Sequence, residues 1–215
     1  MQDVYFYVVD RDFGFAPNPF HGRCTLATCK PKIRARAKAE DWVVGMGGAR
    51  LRATGSCVFA MRVSQALSFN EYWFNPDYLD KRPIRNGSNK MMVGDSIYHR
   101  DTSTNNWLQA DSHHSNPDGT ANIDNLIKDT RVDRVLISNH FFYFGVQAPH
   151  IPPRILLAMG YRNCRDYRIF QRTNCTEFLK WLYESFEKHL NLVSGDPFDF
   201  AHSFKRYSSR DNKIK

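Results

Sequence analysis

Short apolar runs separated by turn residues recur from residue 4 to residue 145, and this pattern predicts a fold rich in β-strands. Residues 4–10 (VYFYVVD) are a continuous run of apolar, β-branched and aromatic side chains, which is typical of a buried strand. The same criteria predict further strand segments at residues 24–29, 41–48, 57–67 with a continuation through 69–73, 94–99, 134–138 and 141–145.

The secondary structure of residues 30–38 (KPKIRARAK) is ambiguous. Cations stand at every second position of this segment, so a strand would place all of them on one face. A helical turn through RARAKAED, which the alanines favour, would spread them instead. The pattern leaves both structures open.

The clearest helical pattern lies near the C-terminus. Asn174 followed by Glu177 has the form of a capping box, with Asn in place of the usual Ser or Thr, and Gly195 provides a stop. Apolar side chains recur between them at helical spacing, at Phe178, Leu182, Phe186, Leu190 and Val193. This stripe predicts a helix that packs on the core.

The composition indicates a cytoplasmic protein that needs no covalent staple. A chain of 215 residues can bury a large core, so the five dispersed cysteines are predicted to be free and mostly buried. No apolar run reaches the roughly 18 residues of a membrane span, and no basic segment precedes the first apolar run as in a signal peptide.

The formal net charge of +8 favours polyanionic partners, because each phosphate that meets Lys or Arg releases counterions. Half of this charge lies in residues 205–215. A solubilising tail and a nucleic-acid-binding arm explain this segment equally well.

Five segments taken together resemble a known family. They are YVVDRDFGFAPNPFHGRCTLATCKPKIR, DWVVGMGG, FNEYW, GDSIYH and VLISNHFFYFG, within roughly residues 4–153. The chain resembles the second of the families called nucleotide-modification-associated domains, and more loosely the pseudouridine-synthase-and-archaeosine-transglycosylase-like (PUA-like) barrels of the ASCH, EVE and YTH type. The family resemblance implies a setting among DNA-modification genes. The barrel resemblance implies an aromatic-lined pocket for a flipped or unstacked base.

The resemblance also sets the expected architecture. It implies an α+β fold, with a small PUA-like β-barrel, flanking helices and a C-terminal helix. The expected domains are a PUA-like nucleotide-modification-associated domain at residues 1–155, a helical extension packed on it at 156–195, and a basic tail at 196–215.

The loop at residues 10–23 is the main candidate for a binding site, because phenylalanines interleave there with charged side chains and are costly to expose without a partner. Aromatic and arginine faces are also the surfaces on which bases stack. With the GMGG, FNEYW and GDSIYH segments, this loop supplies the predicted base-binding residues Arg11, Phe15, Asn18, Gly47, Gly48, Glu71, Tyr72, Trp73 and Tyr98. A solvated loop, a tight glycine turn and aromatic core packing are the alternatives.

Phosphate contacts are predicted for basic side chains on either side of the third strand segment. The GMGGAR segment at residues 45–50 allows backbone amides to approach a phosphate, but it lacks the Gly-Lys-Ser or Gly-Lys-Thr of a Walker loop. The predicted phosphate-binding residues are Lys30, Lys32, Arg34, Arg36 and Arg50.

Metal and nucleophile sites have little support in the sequence. The polar residues 107–125 are predicted to be a loop, and their His113 and His114 pair lacks the spacing of a metal motif. Cys24 and Cys29 stand five positions apart in a predicted strand, which makes a poor zinc half-site. No GxSxG motif occurs, and no cysteine has a base partner that the sequence reveals. No metal and no cofactor are predicted.

These features predict a module that recognises a modified or unmodified base or nucleotide in nucleic acid, in a DNA-modification or phage-defence setting. Protein partners from such a system are also expected. No association with a membrane is expected. The alternative is an enzyme, a hydrolase or transferase, that acts on a modified nucleotide or base through Asp10, Asp12 and His21. A third reading is a module whose basic face docks on a protein.

Overall fold

The computed structural model describes residues 2–215. Its strands are β1 (Asp3–Val9), β2 (Cys24–Leu26), β3 (Trp42–Gly47), β4 (Cys57–Arg62), β5 (Gln65–Leu67), β6 (Tyr98–Arg100), β7 (Trp107–Gln109), β8 (Val135–Ser138), β9 (His140–Tyr143), β10 (Tyr167–Gln171), β11 (Tyr207–Ser208) and β12 (Lys213–Ile214). Its α-helices are α1 (Pro31–Arg36), α2 (Phe69–Phe74), α3 (Asn89–Met92), α4 (Ile123–Thr130), α5 (Pro153–Ala158) and α6 (Thr176–Phe186).

Several small sheets make up the β structure, and they confirm the predicted α+β class. A five-stranded sheet has the order β10-β1-β3-β4-β9, with β1 and β3 parallel and the other neighbours antiparallel. A three-stranded sheet has the order β2-β8-β5, and two-stranded sheets pair β6 with β7 and β11 with β12. None of the sheets within residues 2–215 closes into a barrel, so the PUA-like barrel is not confirmed.

The break in the predicted long strand at residues 57–67 shows how the chain passes between the two larger sheets. Val63 donates its N–H to the Asp41 carbonyl, whereas the next residue, Ser64, donates to the Ile137 carbonyl. The run is therefore two strands, with β4 in the larger sheet and β5 in the smaller one.

Apolar side chains cover both faces of the five-stranded sheet, and every residue of β3 is buried. On one face, Phe6 and Trp42 belong to a core cluster that includes Phe178 and Leu182 of α6. On the other face, Tyr7 and Val43 belong to a second cluster with Ile33 of α1. The predicted C-terminal helix is thus present as α6, and its residues Phe178 and Leu182 pack against the core. The helix ends at Phe186, so Leu190 and Val193 of the predicted stripe lie beyond it.

Three local predictions are wrong. The FNEYW segment is helix α2, which starts at a capping box between Ser68 and Glu71. Helix α6 has Cys175 at its N-cap and no side-chain cap, so the capping box predicted from Asn174 and Glu177 is absent there. Residues 107–125 include β7 and the start of α4 rather than a loop alone.

Residues 31–36 form helix α1, so the alternating cations lie in a helix and not in a strand. The helix begins at Pro31 and ends at Arg36, before most of the predicted turn through RARAKAED. Pro31 occupies the first turn, where its missing N–H costs nothing, and its ring favours helical φ. The helix spreads the cations as expected: Lys32 and Arg36 are exposed, whereas Arg34 is 0% exposed.

The guanidinium of Arg34 joins α1 to the C-terminal end of α4. Its Nε donates to the Cys29 carbonyl at 3.0 Å, and its two terminal nitrogens donate to the carbonyls of Asp129 at 2.6 Å, Val132 at 2.7 Å and Arg134 at 2.5 Å. Carbonyls at the end of a helix lack intrahelical donors, so this side chain supplies the partners that α4 and the following turn need. Arg34 is therefore a structural residue and does not reach solvent as a phosphate ligand would.

The carboxylate of Asp12 is buried where the loop after β1 meets β9. It accepts hydrogen bonds from the Tyr143 hydroxyl at 2.6 Å and the Gly14 N–H at 3.2 Å. Burial raises the pKa of Asp12 to about 6, against the opposing effect of the Tyr143 hydrogen bond. These contacts give Asp12 a structural place between two elements.

All five cysteines are free, as predicted. Cys24, Cys57 and Cys175 are buried, whereas Cys29 and Cys164 are half-buried. In the described chain, residues 2–215, the helices are too short or too polar for any of them to cross a membrane.

Replacing the buried guanidinium should destabilise the protein far more than replacing its exposed neighbour. Arg34→Met leaves backbone carbonyls without donors, and we expect a loss of about 3–5 kcal/mol in the free energy of unfolding. Arg36→Met, on the same helix, should change it by less than about 1 kcal/mol. Urea unfolding measures both, and equal effects would contradict the structural role of Arg34.

Asp12→Asn should become more stable relative to the wild type as the pH rises. The carboxyl group ionises near pH 4 in the unfolded chain but at about 6 in the folded protein, so wild-type stability falls between these values. Asn does not titrate and retains an oxygen for the Tyr143 hydroxyl. The difference in unfolding free energy should grow by about 2–3 kcal/mol between pH 4 and pH 7. A difference that does not change with pH would argue against the raised pKa.

Candidate functional site

A cavity of about 630 Å³ opens at the carboxyl end of β1. Its walls come from β1 and the loop that follows, the start of α1, the His113 and His114 pair, the end of α4, the residues before β10, and the C-terminal hairpin of β11 and β12. We call this space the basic cavity, because six cations line it against two carboxylates, Asp10 and Asp166. The cations are Arg11, Lys30, Lys32, Lys128, Arg131 and Arg165.

The cations differ in how firmly they are held. Lys30 Nζ lies 4.3 Å from the centre of the Tyr7 ring, and burial lowers the pKa of this amine. Lys32 pairs with Asp166 at 2.6 Å, but both side chains are solvent-exposed and the pair is weak. Arg11 donates to the side chain and carbonyl of Asn212, which fastens the hairpin to the loop after β1.

Aromatic rings form another part of the wall. Phe13 lies 4.5 Å from the His113 ring, and Phe15 lies 4.7 Å from the His114 ring, measured between ring centres. The centre of the Tyr207 ring lies 5.5 Å from the guanidinium of Arg11 and 5.6 Å from the centre of the His114 ring. The cavity therefore presents charge and flat apolar surface together.

A cysteine, a histidine and an aspartate are linked in series at one wall of the cavity. Cys29 Sγ lies 3.8 Å from His114 Nε2, within hydrogen-bond reach for sulfur. The other ring nitrogen of His114, Nδ1, lies 2.8 Å from Asp129 Oδ2. Asp129 also accepts the Cys29 backbone N–H at 2.8 Å and the Tyr98 hydroxyl at 3.0 Å.

The protonation states of this series follow from burial and from the charges that face it. Burial disfavours an imidazolium, but the Asp129 carboxylate outweighs burial and raises the pKa of His114 to about 9. Burial also opposes the charge on Asp129, yet His114 and Arg34 hold its pKa below the usual value. Burial and the charge of His114 lower the pKa of His113 to about 3. His114 is therefore charged at neutral pH, and His113 is neutral.

The backbone around Cys29 is strained. Cys29 has φ +56° and Lys30 has φ +35°, so two consecutive residues with a Cβ occupy the left-handed region. Asp129 binds the Cys29 N–H and Arg34 binds its carbonyl, so the surrounding contacts enforce this conformation. Strain of this kind is found where a side chain must be held in one direction.

The structure brings only part of the predicted site together. The predicted binding residues that line the basic cavity are Arg11, Phe15, Lys30 and Lys32, together with Asp10 of the predicted catalytic set. The other two members of that set have different neighbours. Asp12 bonds to Tyr143, whereas His21 lies 3.9 Å from Asp80.

The other predicted binding residues are occupied with packing. Asn18 accepts from buried Lys81, and the Tyr72 hydroxyl donates to buried Asp95. The buried Tyr98 hydroxyl donates a hydrogen bond to the Asp129 carboxylate. Glu71 caps its own helix.

Trp73 also lies away from the cavity. It is sandwiched by the protein itself, with the His99 ring at 4.2 Å on one side and the Arg82 guanidinium at 4.1 Å. A base therefore has no free Trp73 face of the kind that the sequence prediction requires.

The two glycines of the predicted binding turn are required by close backbone approach. A Cβ at Gly47 would lie 2.1 Å from the Ala53 carbonyl oxygen, and a Cβ at Gly48 would lie 2.4 Å from an Asp10 oxygen. Arg50 is exposed in a 3₁₀ turn at Ala49–Leu51, and Arg36 donates to the Tyr167 hydroxyl. None of these four residues lines the cavity.

Sequence reasoning missed the residues that give the cavity its chemistry. The sequence patterns assign no chemical role to Cys29 or His114. Within residues 2–215, no group of three or more His, Cys, Asp and Glu side chains is arranged to hold a metal ion. Asp129, Lys128 and Tyr207 belong to no motif that the sequence reveals. The only available signals were the adjacent histidines and a cysteine directly before a lysine and a helix-starting proline.

A comparison with known families identifies the chain. No curated protein and no solved structure matches it. A family model described as nucleotide modification associated domain 2 matches residues 1–204, which extends past the segments that carry the resemblance and includes helix α6. Because the match covers nearly the whole chain, the protein belongs to the nucleotide modification associated domain 2 family and is associated with nucleotide modification systems.

Proposed function

We propose that the basic cavity binds one nucleotide unit of a nucleic-acid strand, with the phosphate among the cations and the base against the aromatic wall. The observation that carries this proposal is the presence of six cations and several aromatic rings around one space. A volume of about 630 Å³ lies within the range of roughly 300–1,000 Å³ that is usual for small-ligand sites.

The phosphate site is proposed at the cations that come from two helices. Lys30 and Lys32 belong to the start of α1, whereas Lys128 and Arg131 belong to the end of α4. Charge-assisted hydrogen bonds from such side chains to phosphate oxygens are about twice as strong as neutral ones.

The base site is proposed at Tyr207 and Phe15. Tyr207 is only partly buried, so its ring is accessible from the cavity. A base that stacks on an aromatic side chain gains about 1–3 kcal/mol, with little dependence on its identity. The hydrogen bonds of Arg11 to Asn212 hold the hairpin that carries Tyr207 in place.

Exposed cations at the rim favour a nucleotide within a strand over a free nucleotide. Lys32, Arg131 and Arg165 are exposed, so neighbouring phosphates of the same strand can reach them. A base that enters the cavity from a strand must first leave the stack, which costs least in single-stranded or damaged nucleic acid. Family membership supports this substrate class, and we propose DNA modification or phage defence as the setting.

Removing one cation from the proposed phosphate site should weaken the binding of nucleoside 5′-monophosphates. Arg131→Gln should raise the dissociation constant about tenfold, since a charge-assisted hydrogen bond contributes about 1.5–3 kcal/mol. Arg50→Gln is the matched control, because Arg50 is exposed but lies outside the cavity. Calorimetric titration of both variants checks this, and equal effects would reject the phosphate site.

Binding of a short single-stranded oligonucleotide should weaken with salt. Each phosphate contact contributes a slope of about −0.7 in log affinity against log salt, so three rim contacts predict a slope near −2. Arg165→Gln should remove one phosphate contact and make the slope less steep by about 0.7. Arg50→Gln should leave the slope unchanged. Fluorescence anisotropy over a salt series measures the slope. Binding of monophosphates without binding of oligonucleotides would restrict the ligand to free nucleotides.

A further inference from the structure

We propose that Cys29 is the nucleophile of an acyl transfer at the basic cavity, with His114 as its acid and base and Asp129 as the residue that orients His114. The substrate class is an ester or amide carried by a nucleotide. This substrate class rests on the proposed nucleotide site, whereas the role of Cys29 rests on its own geometry.

The geometry has the three links that nucleophilic catalysis requires. The nucleophile is within reach of a base at 3.8 Å, and the base is held by a carboxylate at 2.8 Å through its other nitrogen. Such series recur on unrelated folds and are recognised by geometry and role rather than by position in the chain. Cys29 lines the cavity and is only half-buried.

The other cysteines show that this arrangement is specific to Cys29. Cys24 contacts the Met61 sulfur, and Cys57 contacts a backbone carbonyl, both in the buried core. Burial raises the pKa of Cys57 and of Cys175, which suits inert packing residues. Cys164 is half-buried like Cys29 but does not line the cavity, so it provides an internal control.

The conformation of Cys29 is held by the same residues that hold His114 and Asp129. Two consecutive left-handed residues with a Cβ cost free energy, and Asp129 and Arg34 bind the N–H and the carbonyl of Cys29 in this conformation. The carboxylate of Asp129 accepts hydrogen bonds from both the Cys29 N–H and the His114 ring. The two side chains therefore keep a fixed relation to each other.

Tyr98 and Arg34 act as positioning residues. The Tyr98 hydroxyl donates to the same Asp129 oxygen that His114 contacts, which restricts rotation of the carboxylate. Arg34 donates hydrogen bonds to the backbone carbonyls of both Cys29 and Asp129, so it links the first and last residues of the series.

The chemistry of the first half-reaction balances within these residues. The proton of the Cys29 thiol first passes to His114 Nε2. The Cys29 sulfur then gives an electron pair to the carbonyl carbon of the substrate and forms a C–S bond. The bond from that carbon to its oxygen or nitrogen leaving group then breaks, and the leaving atom keeps the electron pair. His114 Nε2 gives its proton to this atom, which produces a thioester and a neutral imidazole.

Water completes the second half-reaction. The neutral His114 takes a proton from water as the water oxygen forms a bond to the thioester carbon. The C–S bond breaks, and its electron pair returns to the sulfur. The products are a carboxylic acid and the starting pair of side chains, with the proton again on His114.

The experiment uses the full chain and 4-nitrophenyl acetate, an activated ester that acylates reactive cysteines. Release of 4-nitrophenol is followed in time, and the acetyl group is located by mass spectrometry of peptides. The variants are Cys29→Ser, His114→Gln and Cys164→Ser, each checked for folding by circular dichroism. A parallel series contains a nucleoside 5′-monophosphate as a competitor.

We expect a rapid release of about one 4-nitrophenol per protein, with the acetyl group on Cys29 rather than Cys164. His114→Gln should slow acylation by about 100-fold, because Cys29 then lacks the neighbouring group that takes its proton. Cys164→Ser should react like the wild type. Equal acetylation of Cys29 and Cys164 in the wild type would overturn the nucleophile, and this comparison stands even where a variant fails to fold.

The competitor separates this inference from the proposed function. Slower acylation in the presence of the monophosphate supports the nucleotide-linked substrate. Rapid acylation of Cys29 that the monophosphate does not slow would retain the nucleophile and overturn the nucleotide substrate. Monophosphate binding without preferential acylation of Cys29 would retain the nucleotide site and overturn the acyl transfer.

Discussion

The buried guanidinium of Arg34 is the interaction on which the site depends. A charged group without exposure must have its donors paired, and Arg34 pairs them with four backbone carbonyls from two separate regions. Two of these carbonyls belong to Cys29 and Asp129. The contact that stabilises the packing of α1 on α4 thereby also sets the distance between the cysteine and the carboxylate.

The two adjacent histidines show how local charge differentiates identical side chains. His113 is buried near other cations, and its Nδ1 donates to the Lys205 carbonyl, so it remains neutral. His114 is equally buried but faces Asp129, which keeps it charged at neutral pH. One histidine thus anchors the C-terminal segment, while the next is available for proton transfer.

The cavity combines a rigid inner wall with a solvated rim. At the inner wall, Asp129 accepts from several donors at 2.8–3.0 Å, and each of these hydrogen bonds restricts movement of the series. At the rim, Lys32 and Arg131 are exposed and held weakly or not at all by carboxylates. Such a division suits a ligand whose phosphates are attracted by mobile charge while its reacting group is held in one geometry.

The sequence alone determined the α+β class, the strands with continuous apolar runs, the free cysteines and the family. Strand propensity and burial depend on residues that are neighbours along the chain, and the family follows from short segments of sequence. Of the predicted binding residues, Arg11, Phe15, Lys30 and Lys32 line the basic cavity, and they lie close together along the chain. Only the tertiary structure decided that Cys29 meets His114, 85 positions away, and Asp129, 100 positions away. It also decided that the sheets stay open and that Arg34 is buried. Contacts at such separations depend on which strands pair and where helices pack, and no local period in the sequence reports them.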